Sequence, residues 1–322
     1  MSVEVVKSGM LTTLQDGGRS GHAQLGIGRS GAFDAPALRI ANALCGNARD
    51  ACALEITLLG PTLQFHAAAW IAVTGAPIAL RIDGCEVPPW APLQVPAGAQ
   101  VNLGAMPHGC RSYLAVRGGF DVEPVLGSRS TDLNAALGPS AGRPLRAGDR
   151  LAIVPNTAPQ STRARPSWWL DARPWFVDDA ARPLHLLPAR HQADLTGASR
   201  RALFENAFTV QADSNRAGLR LQGPLLAWQA PLEVVSEGCV PGLLQLPPSG
   251  QPIVFGVECP VSGGYPRIGQ VAAIDLPRLA QSRPGAVLRF EPCTLAAAWH
   301  ALQRREHALA ELETRIAGRL SA

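Results

Sequence analysis

The 322-residue chain is 47% hydrophobic and 17% charged, which is enough apolar material to bury two compact cores rather than one. Its net charge is only +4 and no block of like charges occurs. That excludes a surface built to track a nucleic-acid backbone or an anionic membrane and leaves small anions as the expected ligands. Lys7 is the single lysine and lies outside any glycine-rich motif, so a P-loop, a Schiff-base lysine and a biotin tethered to this chain are all excluded.

With 32 glycines, 28 prolines and 5% aromatic residues, the composition predicts many short strands and tight turns, a mainly β fold with some helix. Strands are predicted at Val3–Val6 and Leu11–Leu14, flanking the turn pair Ser8-Gly9. A Gly/Arg loop follows, from Gly17 to Asp34. Asp34 is the expected N-cap of a helix over Ala35–Leu44, with Gly46 as its stop. Further strands are predicted at Leu54–Leu59, Thr62–Phe65, Trp70–Val73, Ile78–Ile82, Val101–Leu103, Ser112–Val116 and Leu151–Val154, spacing that suggests a closed or nearly closed barrel. This first β-barrel domain is assigned to residues 1–158.

Residues 159–183 dissolve into Pro, Ser, Thr and Arg and are assigned as a linker, with Trp168, Trp169 and Trp175 expected to hold it against the protein. A second barrel is assigned to residues 184–293, with short helices near Ser199–Asn206 and after Asp275. Leu58-Leu59-Gly60-Pro61-Thr62-Leu63-Gln64-Phe65 echoes Leu221-Gln222-Gly223-Pro224-Leu225-Leu226-Ala227-Trp228, which suggests a duplicated barrel; a chance match of turn pairs stays open. Residues 294–322 form an amphipathic helix, with Leu295, Leu302, Leu309 and Ile316 expected to pack on the protein's own barrel. The seven scattered cysteines, with no C-x-x-C pair, are expected to be reduced core thiols. With neither a signal peptide nor a membrane span in the sequence, the cytoplasm is the expected location.

Three clusters could carry chemistry. In Gly17–Asp34, the glycines let backbone N–H groups converge on an anion while Arg19 and Arg29 offer planar donor forks and the helix start adds positive potential. A tight loop with solvated arginines is the competing reading, and Asp34 is explained equally by capping. The second, Ser128-Arg129-Ser130-Thr131-Asp132, either meets a polar substrate or satisfies itself as a turn. The third includes Gln251 and Gly263-Gly264-Tyr265-Pro266-Arg267. No metal-ligand histidine spacing occurs, and neither a serine triad nor a metal site is expected.

The order of these pieces resembles the family of the 5-oxoprolinase C subunit, which includes the carboxyltransferase domain of urea carboxylase and proteins labelled allophanate hydrolase subunit 2. The matching segments are Thr12–Arg19, Ser30–Asp34, Ala53–Pro61, Leu126–Leu133, Val240–Gly242 and Gly263–Pro266. The resemblance implies two cyclophilin-like β-barrel domains related by pseudo-symmetry, working beside a sister B subunit of similar architecture and an A subunit. It implies ATP-dependent opening of 5-oxoproline to L-glutamate by the complex, the chain being inactive alone and ATP being shared with or bound by a partner. Under it, Asp16, Arg19, Arg29, Arg129 and Asp132 are the expected catalytic residues, and Ser30, Asp34, Ser130, Gln251, Tyr265 and Arg267 the expected contacts to a small anionic substrate. The chain departs from the family pattern at Val261-Ser262 and at Ala217 and Leu219. Two other activities within the same family are open: carboxyl transfer from a biotin carrier to urea or an amide, and non-catalytic regulation of a kinase-inhibitor sister protein.

Overall fold

The computed structural model describes residues 1–155, 168–176 and 182–321 and is mainly β. Contacts divide it into two units. The first comprises Met1–Arg19, Asp34–Val177 and Leu309–Ala322; the second comprises Ser20–Phe33 and Asp178–Ala308. The segment Ser20–Phe33 of the Gly/Arg loop thus belongs with the second unit, and the C-terminal helix is divided between the two.

In the first unit the strands are β1 (Ser2–Lys7), β2 (Leu11–Gln15), β3 (Ala53–Thr57), β4 (Thr62–Phe65), β5 (Ala69–Gly75), β6 (Leu80–Ile82), β7 (Cys85–Glu86), β8 (Leu93–Val95), β9 (Gln100–Leu103), β10 (Arg111–Val116) and β11 (Arg150–Ala152). They form a six-stranded sheet, β11-β1-β4-β9-β6-β7, and a five-stranded sheet, β2-β3-β10-β5-β8. Val3 and Val5 of β1, Leu63 and Phe65 of β4, Leu54 and Ile56 of β3 and Ile71 and Val73 of β5 meet in one core, so both sheets give it one face. β10 is buried at every position. The helix Ala35–Cys45 packs on β5 and β10, and Thr74 Oγ1 of β5 donates to Ala37 O at 2.6 Å.

The second unit carries β12 (Leu184–Pro188), β13 (Phe208–Val210), β14 (Gly218–Gln222), β15 (Glu237–Gly238), β16 (Leu243–Gln245), β17 (Ile253–Phe255), β18 (Ser262–Gly263), β19 (Arg267–Val271), β20 (Val287–Leu288) and β21 (Phe290–Pro292). Eight of them run β20-β13-β14-β17-β16-β19-β12-β21, and β15 pairs with β18. The two edge strands of the eight, β20 and β21, are consecutive in the chain with only Arg289 between them. The sheet must therefore curl until its edges meet, a nearly closed barrel. Its core joins Leu186, Phe208, Leu219, Leu221, Leu244, Val254, Ile268 and Phe290, and Phe33 from the Gly/Arg loop completes it.

The echoing Gly-Pro pairs share a physical reason. A Cβ on Gly60 would lie 2.4 Å from the Leu103 Cβ, and one on Gly223 would lie 2.5 Å from the Phe208 ring, so each glycine marks a close approach across its own sheet. The segments after them diverge. Thr62–Phe65 forms β4, whereas Leu225–Trp228 forms no named strand and pairs only through the isolated bridge of Trp228 with Leu195 and loop hydrogen bonds to Gly250, Thr196 and Ser199.

The assigned linker, 159–183, falls mostly outside the described residues. Within 168–176, Leu170 N donates to Trp90 O at 2.8 Å, Arg319 stacks over Trp168 and Phe176 packs on the first core. The C-terminal helix spans Leu295–Ser321. Leu309 and Ile316 of its predicted stripe are buried, but Leu295 is exposed and Ala298 takes the buried place in the first turn. A seven-residue spacing drifts around a 3.6-residue helix, so the first stripe position has left the packed face. The expectation of core thiols holds for Cys45, Cys52, Cys110 and Cys259 and fails for Cys85, which is exposed on the two-residue strand β7; all seven are free. Among the described residues, no helix is long and apolar enough to cross a membrane.

Candidate functional site

β2 ends at Gln15, and the chain turns there through Asp16, Gly17, Gly18 and Arg19. The facing segment is set by a tight turn in which Leu126 and Gly127 both have positive φ and Val125 bridges Ser128. Thr131 N then donates to Leu14 O at 2.8 Å, which extends the sheet past β2 and brings Ser128–Thr131 against Asp16.

The Asp16 carboxylate is enclosed by donors. Oδ1 accepts from Ser128 Oγ at 2.6 Å, Ser130 Oγ at 2.5 Å and Gly18 N at 2.8 Å, and Oδ2 accepts from Arg129 N at 2.5 Å. Ser130 Oγ also accepts from Asp16 N at 3.0 Å, and Ser128 Oγ from Ser130 N at 3.0 Å. A carboxylate with four donors anchors two loops.

Arg19 differs. Its residue is 2% exposed, Nη2 donates to Ser130 O, and Nε and Nη1 are buried with no hydrogen-bond partner. Gln15 beside it is fully buried; Nε2 donates to Thr131 O at 2.9 Å and Thr13 Oγ1 at 3.0 Å, and Oε1 is left without a partner.

The remaining expected residues of the first unit are held locally. Asp132 Oδ1 accepts from Asn134 N at 3.1 Å and Ala135 N at 3.0 Å, the self-satisfied turn. Asp34 caps the helix Ala35–Cys45, accepting from Ala37 N at 3.1 Å. Arg129 is exposed, with Nε donating to Val122 O at 2.8 Å.

Sequence reasoning missed a chain of buried polar groups behind that cap. Tyr113 Oη of β10 donates to Glu55 Oε2 of β3 at 2.7 Å and accepts from Asp34 N at 2.8 Å, and Arg111 Nε lies 3.4 Å from Glu55 Oε1. Burial, then the charges of Glu55 and Asp34, hold the Tyr113 phenol well above its ordinary range. Alternation along β3 and β10 shows only buried strands; the pairing of Tyr113 with Glu55 requires the register.

In the second unit, Ser30 (φ 53°) and Gly31 meet a buried ion pair. Arg216 Nε lies 2.6 Å from Glu258 Oε1, Arg216 Nη2 donates to Gly31 O at 2.6 Å, and Ser30 Oγ donates to Glu258 Oε1 at 3.4 Å. The pairing of Arg216 with Glu258 was also missed, since 42 residues separate them, although Arg216 sits beside the pattern departures at Ala217 and Leu219. Arg29 is exposed.

Gln251 and Tyr265 line one open cavity of about 390 Å³ with Asp213, Arg220 and Ser249. Gln251 is bonded twice to the Gly223 backbone, at 2.9 and 3.0 Å, and Tyr265 is 46% exposed. Arg267 stands apart from that cavity. Its Nε lies 3.1 Å from Glu237 Oε2 and its Nη2 donates to Gly238 O at 2.7 Å, bracing the β15–β18 pair. Among the described residues, no group of three or more His, Cys, Asp or Glu side chains could hold a metal ion.

The chain thus holds two β-rich units, one of them carrying a serine-rimmed carboxylate and a buried arginine. The family model for the carboxyltransferase domain, subdomains A and B, matches residues 25–292, and the chain belongs to that family. It is 39% identical to the 5-oxoprolinase C subunit of Escherichia coli, over 98% of each chain, and 37% identical to that of Haemophilus influenzae over 88% of each. The urea amidolyase of Kluyveromyces lactis superposes with a TM-score of 0.87 at 28% identity, over 98% of this chain and 20% of that one.

Proposed function

We propose that the chain is the C subunit of an ATP-dependent 5-oxoprolinase, acting with the A and B subunits to open 5-oxoproline to L-glutamate and inactive alone. The observation that carries this reading is end-to-end similarity to a protein of that name, over 98% of both chains. The lactam is a poor electrophile, and ATP supplies the means of activating its oxygen by phosphorylation. The sequence has no glycine-rich loop ending in Lys-Ser/Thr, so ATP is assigned to the complex, bound by or shared with a partner, and no residue here is assigned to its phosphates.

This chain's own contribution is charge and position. In the first unit, Arg19 and Arg129 offer positive charge to an anionic group, Asp16 holds the Ser128–Ser130 rim in place, and Asp132 fixes the turn that follows; Arg29 offers positive charge in the second. In the second unit, Arg216 and Glu258 hold Ser30 and Gly31, while Gln251 and Tyr265 present an amide and a phenol to their cavity. The decisive experiment is co-expression with the two sister proteins and an assay for ATP-dependent glutamate release. Turnover by the complex and none by the chain alone is expected.

The second reading, carboxyl transfer to urea or an amide, is favoured by the superposition on urea amidolyase. It requires biotin delivered by another chain, since Lys7 is the only lysine and lies within β1. Release of carboxylated urea with a supplied carboxybiotin carrier, and no 5-oxoproline turnover, would select it.

A further inference from the structure

A guanidinium carries five N–H donors and a charge that it does not lose. Arg19 is 2% exposed, uses one bond to Ser130 O, and has two of its three nitrogens without a partner. No acidic side chain answers its charge among the described residues. The Asp16 carboxylate, three positions earlier, makes no ion pair with it and accepts instead from the Ser128 and Ser130 hydroxyls and the Gly18 and Arg129 N–H groups. The buried ion pair Arg216–Glu258 shows how this same protein treats a guanidinium that is purely structural: it supplies a carboxylate at 2.6 Å. A buried cation with no ion-pair partner and two unbonded nitrogens is costly to keep, and an anion from outside the chain would supply what it lacks. Water could satisfy the N–H groups but would leave the charge.

We propose that Arg19 is the subsite for the carboxylate of the substrate, a specificity-determining contact rather than a stabiliser of the phosphorylated oxygen. The proposal rests on the oxoprolinase reading for the identity of the substrate, not for the existence of the anion site. Charge decides between the two groups. One buried guanidinium balances one carboxylate, whereas a phosphoryl group of about two charges needs a second cation. The other two arginines of the set, Arg29 and Arg129, are exposed. Gln15 adds a chemical argument. It hangs from Thr131 O as Arg19 hangs from Ser130 O, the next carbonyl, and its Oε1 is a buried acceptor without a donor. An acceptor repels phosphoryl oxygens but suits a ligand with an N–H next to its anion, and 5-oxoproline carries its lactam N–H and its carboxylate on the same carbon.

The test is calorimetric titration, without ATP, of 5-oxoproline, of 2-pyrrolidinone (the same lactam without the carboxylate) and of inorganic phosphate, into the co-purified complex and into the full chain alone. Binding of 5-oxoproline is expected, with 2-pyrrolidinone and phosphate at least about 10-fold weaker, and Arg19→Gln is expected to weaken 5-oxoproline binding by about 10- to 100-fold. Arg19→Lys keeps the charge without the planar fork and should fall between. In turnover, Arg19→Gln should raise KM by a similar factor and leave kcat within about threefold. These wild-type titrations do not depend on how the variants fold. Equal binding of 2-pyrrolidinone and 5-oxoproline, preference for phosphate, or a kcat loss with unchanged KM would overturn the assignment while leaving the oxoprolinase reading intact. A complex that binds 5-oxoproline through Arg19 but never turns it over with ATP would sink that reading and leave the carboxylate subsite standing.

Discussion

Replacing Asp16 by Ala would strand two hydroxyls and two backbone N–H groups that now converge on one carboxylate. Each buried group left unmet costs about 1–3 kcal/mol, so Asp16→Ala should lower unfolding stability by several kcal/mol, read as a shift in the urea midpoint. Ser130→Ala removes one donor and one acceptor and should cost about 1–2 kcal/mol. If Asp16→Asn kept full stability and lost only turnover, the anchoring role would be wrong and the direct catalytic role expected from sequence would return. Arg216 and Glu258 call for a different experiment. Either single replacement leaves a buried charge and should cost about 3–5 kcal/mol, whereas the double replacement Arg216→Met with Glu258→Leu should recover most of that loss. Thiols report on the same interior. Burial pushes Cys45 and Cys259 up to about 12, and Cys52 higher still, whereas Cys85 is exposed. A maleimide at pH 7.5 should therefore label Cys85 within minutes and reach Cys45, Cys52 and Cys259 only after denaturation, as peptide mapping would show.

Elements were the most legible scale. The helix Ala35–Cys45 was readable because its signals are local: an Asp that caps, a Pro in the first turn and a Gly at the stop all act within four residues. Most strands of the first unit were found within two residues for the same reason, but β7 and β8, two and three residues long, carry too little pattern to announce themselves. The Ser128–Asp132 cluster was visible as an excess of polar groups, yet its partner Asp16 lies more than 110 residues away, and only the pairing of Thr131 with Leu14 reveals it. Tyr113–Glu55 and Arg216–Glu258, 58 and 42 residues apart, were hidden by separation too. The loop before β11 offers an element-scale prediction. Arg143 grips both oxygens of Asp149 at 2.7 and 2.8 Å, and Arg146 N adds a third bond, which holds the Asp149 pKa below the ordinary aspartate value. A carboxylate lowered in the folded state stabilises above its unfolded pKa of about 3.8 and loses that contribution as pH falls through the lower folded value. Thermal unfolding of wild type should therefore lose ground to Asp149→Asn as pH falls below about 4, the gap between their Tm values narrowing; a gap constant from pH 7 to pH 2.5 would contradict the ion pair.

At the scale of the molecule, the chain does not complete its units in order. The second unit's barrel contains Phe33, 2% exposed in its core, and Gly31, whose carbonyl accepts from Arg216 Nη2; both are contributed by a loop that begins the chain's first unit. A cut in the middle of the chain therefore does not release a finished second barrel. A fragment of residues 182–321 lacks a core aromatic, whose loss costs about 3–5 kcal/mol, and takes the Gly31 carbonyl away from Arg216. Since whole domains are stable by only about 5–15 kcal/mol, that fragment should be molten or aggregated, with weak near-ultraviolet dichroism and poor dispersion of its amide resonances. Co-expression with residues 1–176 should restore a soluble, dispersed species, because that fragment carries Ser20–Phe33. Carrying Phe33→Ala and Gly31→Pro in the co-expressed fragment should abolish the rescue, as neither the aromatic nor the loop conformation is then supplied. A soluble, well-dispersed 182–321 fragment on its own would show instead that the eight-stranded sheet closes through the consecutive strands β20 and β21 without help from the Gly/Arg loop, and the loop's place in that core would then be adornment rather than structure.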